Sequence, residues 1–371
     1  MILIKNCKYY SNQKFINGDI LIDRDIIIDV GNINEDCGKV IDGEGKIVIP
    51  GLIDIHMHGA IGYNVMDASI DDLNKIANFL AHQGTTSFLP TTITSRDKDL
   101  IKTLQNIKNA SNPNIIGVHI EGPYINKQNK GCHDENLIKN PEIKMIAIAR
   151  KEVNNLHLHY TIAPELPNAI DFIKEVIKNG GTVSLGHSNA TMDEALQAIS
   201  VGANIFTHLF NAMRPLHHRE PGIIGAALKS NEFVEVICDG IHVHPDIINL
   251  VYKIKGKEKI VLVTDAMQAC GLGDGTYNFG GFKVIVKEGI ARKEDGTLAS
   301  STLTIFKALK NAMKFLNIPL EEAIDMATIN PAKALGIDNE YGSIDINKKA
   351  DLIMLDNNFN IDKIINKGKL I

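Results

Sequence analysis

A short apolar run, a polar or glycine-bearing turn, and a stretch of helical spacing form a unit that recurs eight times between Ile53 and Val263. The runs occupy residues 53–58, 86–90, 115–120, 157–162, 182–185, 204–208, 233–238 and 260–263. Strands that alternate with helices build parallel sheets, because each crossover carries the chain back to the same edge. Eight such units close on themselves, so the expected fold is α/β, a (β/α)8 TIM-like barrel. Residues 71–83 place Leu73, Ile76, Ala77 and Leu80 on one helical face before Gly84, and residues 169–178 end at Gly180 and Gly181. Glycine beyond a periodic segment is a helix stop.

The two ends read differently. Up to about Ile49, short apolar triplets such as Ile20-Leu21-Ile22 and Ile26-Ile27-Ile28 are broken by Asn17-Gly18, Gly31-Asn32 and Asp42-Gly43, which marks strands and tight turns. Near the C-terminus, residues 350–356 are again strand-like. A small β-sandwich domain built from residues 1–49 and 340–371 is therefore expected beside a barrel of residues 50–339. With 44% hydrophobic and 22% charged residues, a chain of 371 can bury both cores.

A formal net charge of -5 offers no general attraction for nucleic acid or anionic membrane, so neither is an expected partner. The five cysteines, Cys7, Cys37, Cys132, Cys238 and Cys270, form no C-x-x-C pair and no disulfide framework, which points to a reducing cytoplasm. No signal-peptide pattern opens the sequence and no apolar run nears a membrane span, so export and insertion are not expected.

Chemistry collects at the ends of the runs. His56 and His58 close the first and, being two residues apart on a strand, point to the same side. Glu121 follows the third, His187 the fifth, His208 ends the sixth, and Asp265 follows the eighth. A single histidine after a strand is more often structural. Four histidines and two carboxylates at the same end of one barrel point instead to a divalent metal. Imidazole and carboxylate without thiolate suit zinc, iron, cobalt or manganese, and ligand type alone does not choose among them. A bound cation lowers the pKa of water, and a carboxylate not consumed as a ligand can move its proton, a role that falls to Asp265.

Beyond these positions the chain resembles the N-acetylglucosamine-6-phosphate deacetylases of the amidohydrolase superfamily. The resemblance rests on residues 50–59 (PGLIDIHMHG), 121–123 (EGP), 186–188 (GHS), 207–213 (THLFNAM), 239–243 (DGIHV) and, most specifically, 215–222 (PLHHREPG). It implies a metal-dependent hydrolase that removes the acetyl group of N-acetylglucosamine 6-phosphate, in amino-sugar catabolism and cell-wall sugar recycling. By this resemblance Glu121, His187 and His208 hold the principal metal, and His56 and His58 support a second in members that hold two, so one or two ions per chain are implied. Asp265 is the catalytic proton carrier and His133 polarises the substrate carbonyl. Arg219 and His242 bind phosphate, with a homodimer partner contributing across the interface, and Asn211 and Ala212 offer further donors.

Cys132 is expected as a pocket neighbour of His133 and not as a nucleophile; His217 and His218 receive no role. Where the family reads Gly-x-Leu-Ala-Gly-Ser, residues 296–301 read GTLASS. Leu298, Ala299 and Ser300 are expected at the substrate, with Ser300 either narrowing the pocket or adding a hydroxyl donor. Two rival readings are a cyclic-amide or nucleobase hydrolase and a non-catalytic sugar-phosphate sensor. The phosphate cluster weighs against the first, and the complete metal set with Asp265 against the second.

Overall fold

The computed structural model describes residues 1–35 and 37–371. Eight parallel strands follow one another in chain order: β1 (Leu52–Met57), β2 (Thr85–Thr92), β3 (Gly117–Glu121), β4 (His157–Ile162), β5 (Thr182–Leu185), β6 (Ile205–Phe206), β7 (Phe233–Ile237) and β8 (Ile260–Val263). Each pairs with its predecessor. Closure comes from β8 returning to β1, where the Asp265 amide donates to the His56 carbonyl at 2.9 Å and Met57 bridges Ala266 in parallel. The (β/α)8 barrel is thus present. The strands fall within two residues of most of the apolar runs. The sixth shrinks to Ile205–Phe206 because the backbone turns left-handed at His208 (φ 30).

Helices α1 (Ile70–His82), α2 (Asp97–Asn109), α3 (Lys144–Val153), α4 (Ala169–Lys178), α5 (Met192–Ser200), α6 (Gly222–Lys229), α7 (Pro245–Lys255) and α8 (Ile305–Leu316) cover the outside. Local sequence explains their limits. Ser69 accepts from the Asp72 amide while Asp72 accepts from the Ser69 amide, a capping box that satisfies two amides otherwise orphaned at the start of α1. Gly84 then carries φ +87, a conformation costly for a side chain, and ends the segment. Leu73, Ile76, Ala77 and Leu80 of α1 are buried against the barrel wall, where each large side chain withdrawn from water contributes about 1.5–3 kcal/mol.

The chain ends meet in one sheet. The strand Ile47–Pro50 pairs in parallel with Ile2–Ser11 and antiparallel with Leu352–Leu355, so N- and C-terminal segments share a core that includes Ile4, Tyr9, Val48, Leu352 and Met354. Pro50-Gly51 leads from this sheet straight into β1. A Cβ on Gly51 would meet the Thr86 hydroxyl at 2.0 Å, so only glycine lets the two bodies approach there.

Between β8 and α8 stands a three-stranded antiparallel sheet, Gly275–Phe279, Phe282–Lys287 and Ile290–Lys293. Val284 and Val286 face inward while Lys283, Ile285 and Lys287 face out. This sheet leans over the C-terminal mouth of the barrel and carries Phe279 and Arg292 to the cleft. Among the described residues, no helix is long and apolar enough to cross a membrane.

Candidate active site

Strand ends deliver the chemistry to one point. His56 lies on β1 and His58 just past it, and Glu121 is the last residue of β3. His187, His208 and Asp265 each lie two residues past their strands with left-handed backbones (φ 47, 30 and 47). Such conformations cost about 1–3 kcal/mol apiece and persist where surrounding structure enforces them. Here the enforcement is backbone pairing: the Asn126 amide donates to the His187 carbonyl at 2.8 Å, and the Leu209 amide to the Glu235 carbonyl at 2.9 Å. The turn aims each side chain into the mouth. All six groups are buried, from 0% exposed at His56 to 9% at Asp265.

The ligand atoms crowd together. Glu121 Oε1 lies 3.1 Å from His187 Nε2 and 3.2 Å from His208 Nε2, and those two nitrogens are 3.0 Å apart. On the other side, His58 Nε2 is 3.3 Å from His56 Nε2, 3.3 Å from Asp265 Oδ1 and 3.2 Å from Glu121 Oε2. His56, His58 and Asp265 form one group able to hold an ion, and Glu121, His133 and His187 another. Tautomers test that fit. His187 Nδ1 lies 2.8 Å from the Asn129 carbonyl, an acceptor only, so Nδ1 carries the proton and the Nε2 lone pair faces Glu121. A lone pair, a carboxylate and a second imidazole nitrogen within about 3 Å are reconciled by a divalent cation. The donor set fits a metal.

His133 behaves differently. The Thr94 amide donates to its Nδ1 at 3.2 Å, so Nε2 carries the proton, and Nε2 points toward Glu121 Oε2 at 3.4 Å. Burial lowers its pKa to about 4, which keeps the ring neutral. Although it sits among the ion-binding candidates, its tautomer makes it a hydrogen-bond donor and not a ligand at Nε2. Burial raises the pKa of Glu121, but the positive charge of His56 and the hydrogen bond from His133 outweigh it and hold the carboxyl well below the usual range. Burial likewise raises Asp265, and the His58 hydrogen bond with the charges of His56 and His58 outweighs it, leaving the carboxyl lowered.

These groups open onto a cleft of about 490 Å³. Cys132, His133, Asn211, Ala212, His242, Leu298 and Ser300 all reach its wall, whereas Ala299 is buried behind it with Val284 and Val286. Arg219 does not reach it: exposed on the loop after His208, its guanidinium donates to His218 Nε2 at 2.8 Å. His242 Nδ1 pairs with Asp239 Oδ2 at 2.6 Å; burial lowers its pKa but the Asp239 carboxylate reverses this and raises it, favouring a cationic ring at the wall. The Cys132 thiol donates to the Leu298 carbonyl at 3.3 Å and burial pushes it up to about 12, so it is no thiolate. Ser300, at φ +57, donates to Asp265 Oδ1 at 3.0 Å. A larger groove of about 1120 Å³ beside α2 lacks any such convergent set and is not the seat of the chemistry.

Several groups at the cleft, Arg292 and Gln128 among them, do not stand out in the sequence. Arg292 brings a guanidinium to the wall from the antiparallel sheet, and Gln128 joins it from the loop after β3. The in-out alternation of residues 282–287 was the available sign of that sheet.

The Amidohydrolase family model matches residues 47–371. N-acetylglucosamine-6-phosphate deacetylase of Vibrio furnissii is 37% identical, covering 87% of this chain and 82% of its own. N-acetylgalactosamine-6-phosphate deacetylase of Escherichia coli O157:H7 is 36% identical over 90% of this chain and 89% of its own. The crystal structure of N-acetylglucosamine-6-phosphate deacetylase from Pasteurella multocida superposes with a TM-score of 0.94 at 33% identity, covering 100% of this chain and 99% of that one. With a donor set built for a metal at the mouth of this barrel and matches that run nearly end to end, the chain belongs to the amidohydrolase family, beside its amino-sugar-phosphate deacetylases.

Proposed function

We propose that this chain is a metal-dependent deacetylase that hydrolyses the acetamide of N-acetylglucosamine 6-phosphate to acetate and glucosamine 6-phosphate. The observation that carries the reading is the pairing of a neutral Nε2–H donor, His133, with an ionised carboxylate, Asp265, around one metal-ligand cluster. A bound divalent cation supplies a low-pKa water and polarises the carbonyl. Glu121, His187 and His208 would hold it, with His56 and His58 available for a second.

The chain's own residues do the rest. His133 Nε2–H donates to the carbonyl oxygen and stabilises the charge that grows there. Asp265 accepts a proton from the attacking water as the carbon–oxygen bond forms, then returns it to the nitrogen as the carbon–nitrogen bond breaks. His242 and Arg292 meet the phosphate from the wall. Arg219 belongs to the phosphate site if a second copy of the chain brings it there, since guanidinium matches phosphate oxygens in a fixed fork.

Zinc is the proposed metal, with iron, cobalt and manganese as the other ions this donor set accepts. The five cysteines are free, which supports a reducing cytoplasm, and residues 1–49 with 340–371 are read as one β-domain beside the barrel of residues 50–339. A galactosamine-epimer substrate is the second reading, favoured by the Escherichia coli relative.

The test is acetate release from N-acetylglucosamine 6-phosphate, its galactosamine epimer and unphosphorylated N-acetylglucosamine, with metal-loaded, chelated and Asp265→Asn protein. Metal-dependent release from the first, lost in the variant, supports the proposal. Faster release from the epimer replaces the substrate; no release from loaded protein ends the deacetylase reading.

A further inference from the structure

Below the ligand cluster lies a carboxylate that the reaction does not use. Glu235 sits in the middle of β7, is 0% exposed, and projects into the barrel. Its Oε2 lies 3.1 Å from His56 Nδ1 and accepts from the His208 amide at 3.0 Å, while its Oε1 is buried without a partner. Among the described residues its one ion-pair partner is His56. A buried anion paired only to an imidazole is costly unless that imidazole carries positive charge.

We infer that Glu235 is the positioning residue that presents His56 Nε2 to the second divalent cation, touching neither the cation nor the substrate. A carboxylate that accepts this hydrogen bond holds a proton on His56 Nδ1, so it is the Nε2 lone pair that is offered to a bound cation. That lone pair faces His58 Nε2 at 3.3 Å, Glu121 Oε1 at 3.4 Å and Asp265 Oδ1 at 3.8 Å, the group in which a cation would sit. The His119 ring, edge-on at 4.5 Å and held by Thr91 and Thr161 hydroxyls, packs against the imidazole and keeps it in this plane. Positive charge at Nε2 from the cation is what compensates the buried anion. The hydrogen bond from the His208 amide fixes the carboxylate against the turn that carries a principal ligand, so one side chain sets the spacing between the two groups.

The inference rests on the metal-dependent reading above but not on its substrate. Chelated protein is titrated with Co²⁺ and read by absorption and by metal count per chain. Wild type is expected to take two Co²⁺. In Glu235→Leu the weaker-bound ion loses about tenfold to a hundredfold in affinity, the usual cost of removing such a partner, while the other is retained; Glu235→Gln, which keeps an acceptor but no charge, loses less at the same ion. A merely structural role would lower the melting temperature without choosing between the two ions. One Co²⁺ in wild type, equal weakening of both ions, or no weakening overturns the inference. Should both variants fail to fold, zinc-loaded wild type labelled with ¹⁵N-histidine decides: His56 is expected as the Nδ1–H tautomer, and an Nε2–H tautomer overturns it. Two bound Co²⁺ with no acetate release from any substrate would refute the deacetylase reading and leave Glu235 standing.

Discussion

Ser300 Oγ lies 3.0 Å from Asp265 Oδ1 and donates to it, so the one residue that departs from the family's glycine is bonded to the proposed proton carrier. The same Asp265 oxygen is 3.3 Å from His58 Nε2, and Ser300 therefore helps decide which way the carboxylate turns. A hydrogen bond to a charged group contributes about 1.5–3 kcal/mol. Part of that returns through water in an open cleft. Ser300→Gly is expected to lower kcat by about threefold to tenfold with KM little changed, since 1.4 kcal/mol is tenfold in rate. Steady-state kinetics at several substrate concentrations checks this, and an unchanged kcat makes the serine incidental.

The proposed phosphate site divides between Arg292, present on the wall of this chain's own cleft, and Arg219, which stands off it. Arg292→Ala should raise KM for the phosphorylated substrate by about tenfold, the value of one charge-assisted contact, and leave the unphosphorylated sugar unaffected. Arg219→Ala should do the same only if a second copy supplies it. Mixing Arg219→Ala with Asp265→Asn chains then restores activity, because a hybrid dimer contains one complete site. Failure to restore it dismisses the shared site.

At the opposite end of the barrel, His157 Nε2 contacts the Thr182 hydroxyl at 2.8 Å, and burial, helped by Arg150, lowers its pKa to about 4. The unfolded value is about 6.5, so the folded state resists protonation and the unfolded state accepts it. The associated stability is complete above pH 6.5 and is lost as pH falls toward 4. Glutamine keeps a polar partner for Thr182 without titrating. Melting temperatures measured across that window should fall less steeply in His157→Gln than in wild type; parallel curves would exclude His157 as a source of acid sensitivity.

Removing metal should destabilise as well as inactivate. Ligand-linked stability grows as RT ln(1 + [L]/Kd), about 4 kcal/mol at a thousandfold excess over Kd. Reloading should release protons, since His56 is raised well above its usual pKa: burial alone would lower it, and Glu121, Glu235 and Asp265 outweigh burial. A calorimetric titration repeated in buffers of different ionisation enthalpy counts those protons. A melting temperature unmoved by chelation would mean the cluster holds no ion.

Much of this protein is legible in its sequence. Residues 53–58 and 260–263 announce strands because parallel strands buried on both faces read as apolar runs. His56, His58, Glu121, His187, His208 and Asp265 stand out because catalytic groups of such a barrel gather just past its strands. The antiparallel sheet at residues 275–293 is not legible in this way, since its short alternating strands lie after the eighth unit, where the barrel pattern already accounts for the chain.

Strand order, barrel closure and the identity of the convergent side chains follow from local pattern, because apolar periodicity is written residue by residue along the chain. Tertiary structure alone decided the tautomer of His133, which depends on the Thr94 amide, and the bond from Ser300 to Asp265. It alone joined Glu235 to His56 across 179 residues of chain. A hydrogen bond is a statement about distance and direction between two atoms. Sequence specifies which atoms exist, and only the closed barrel brings them within 3 Å.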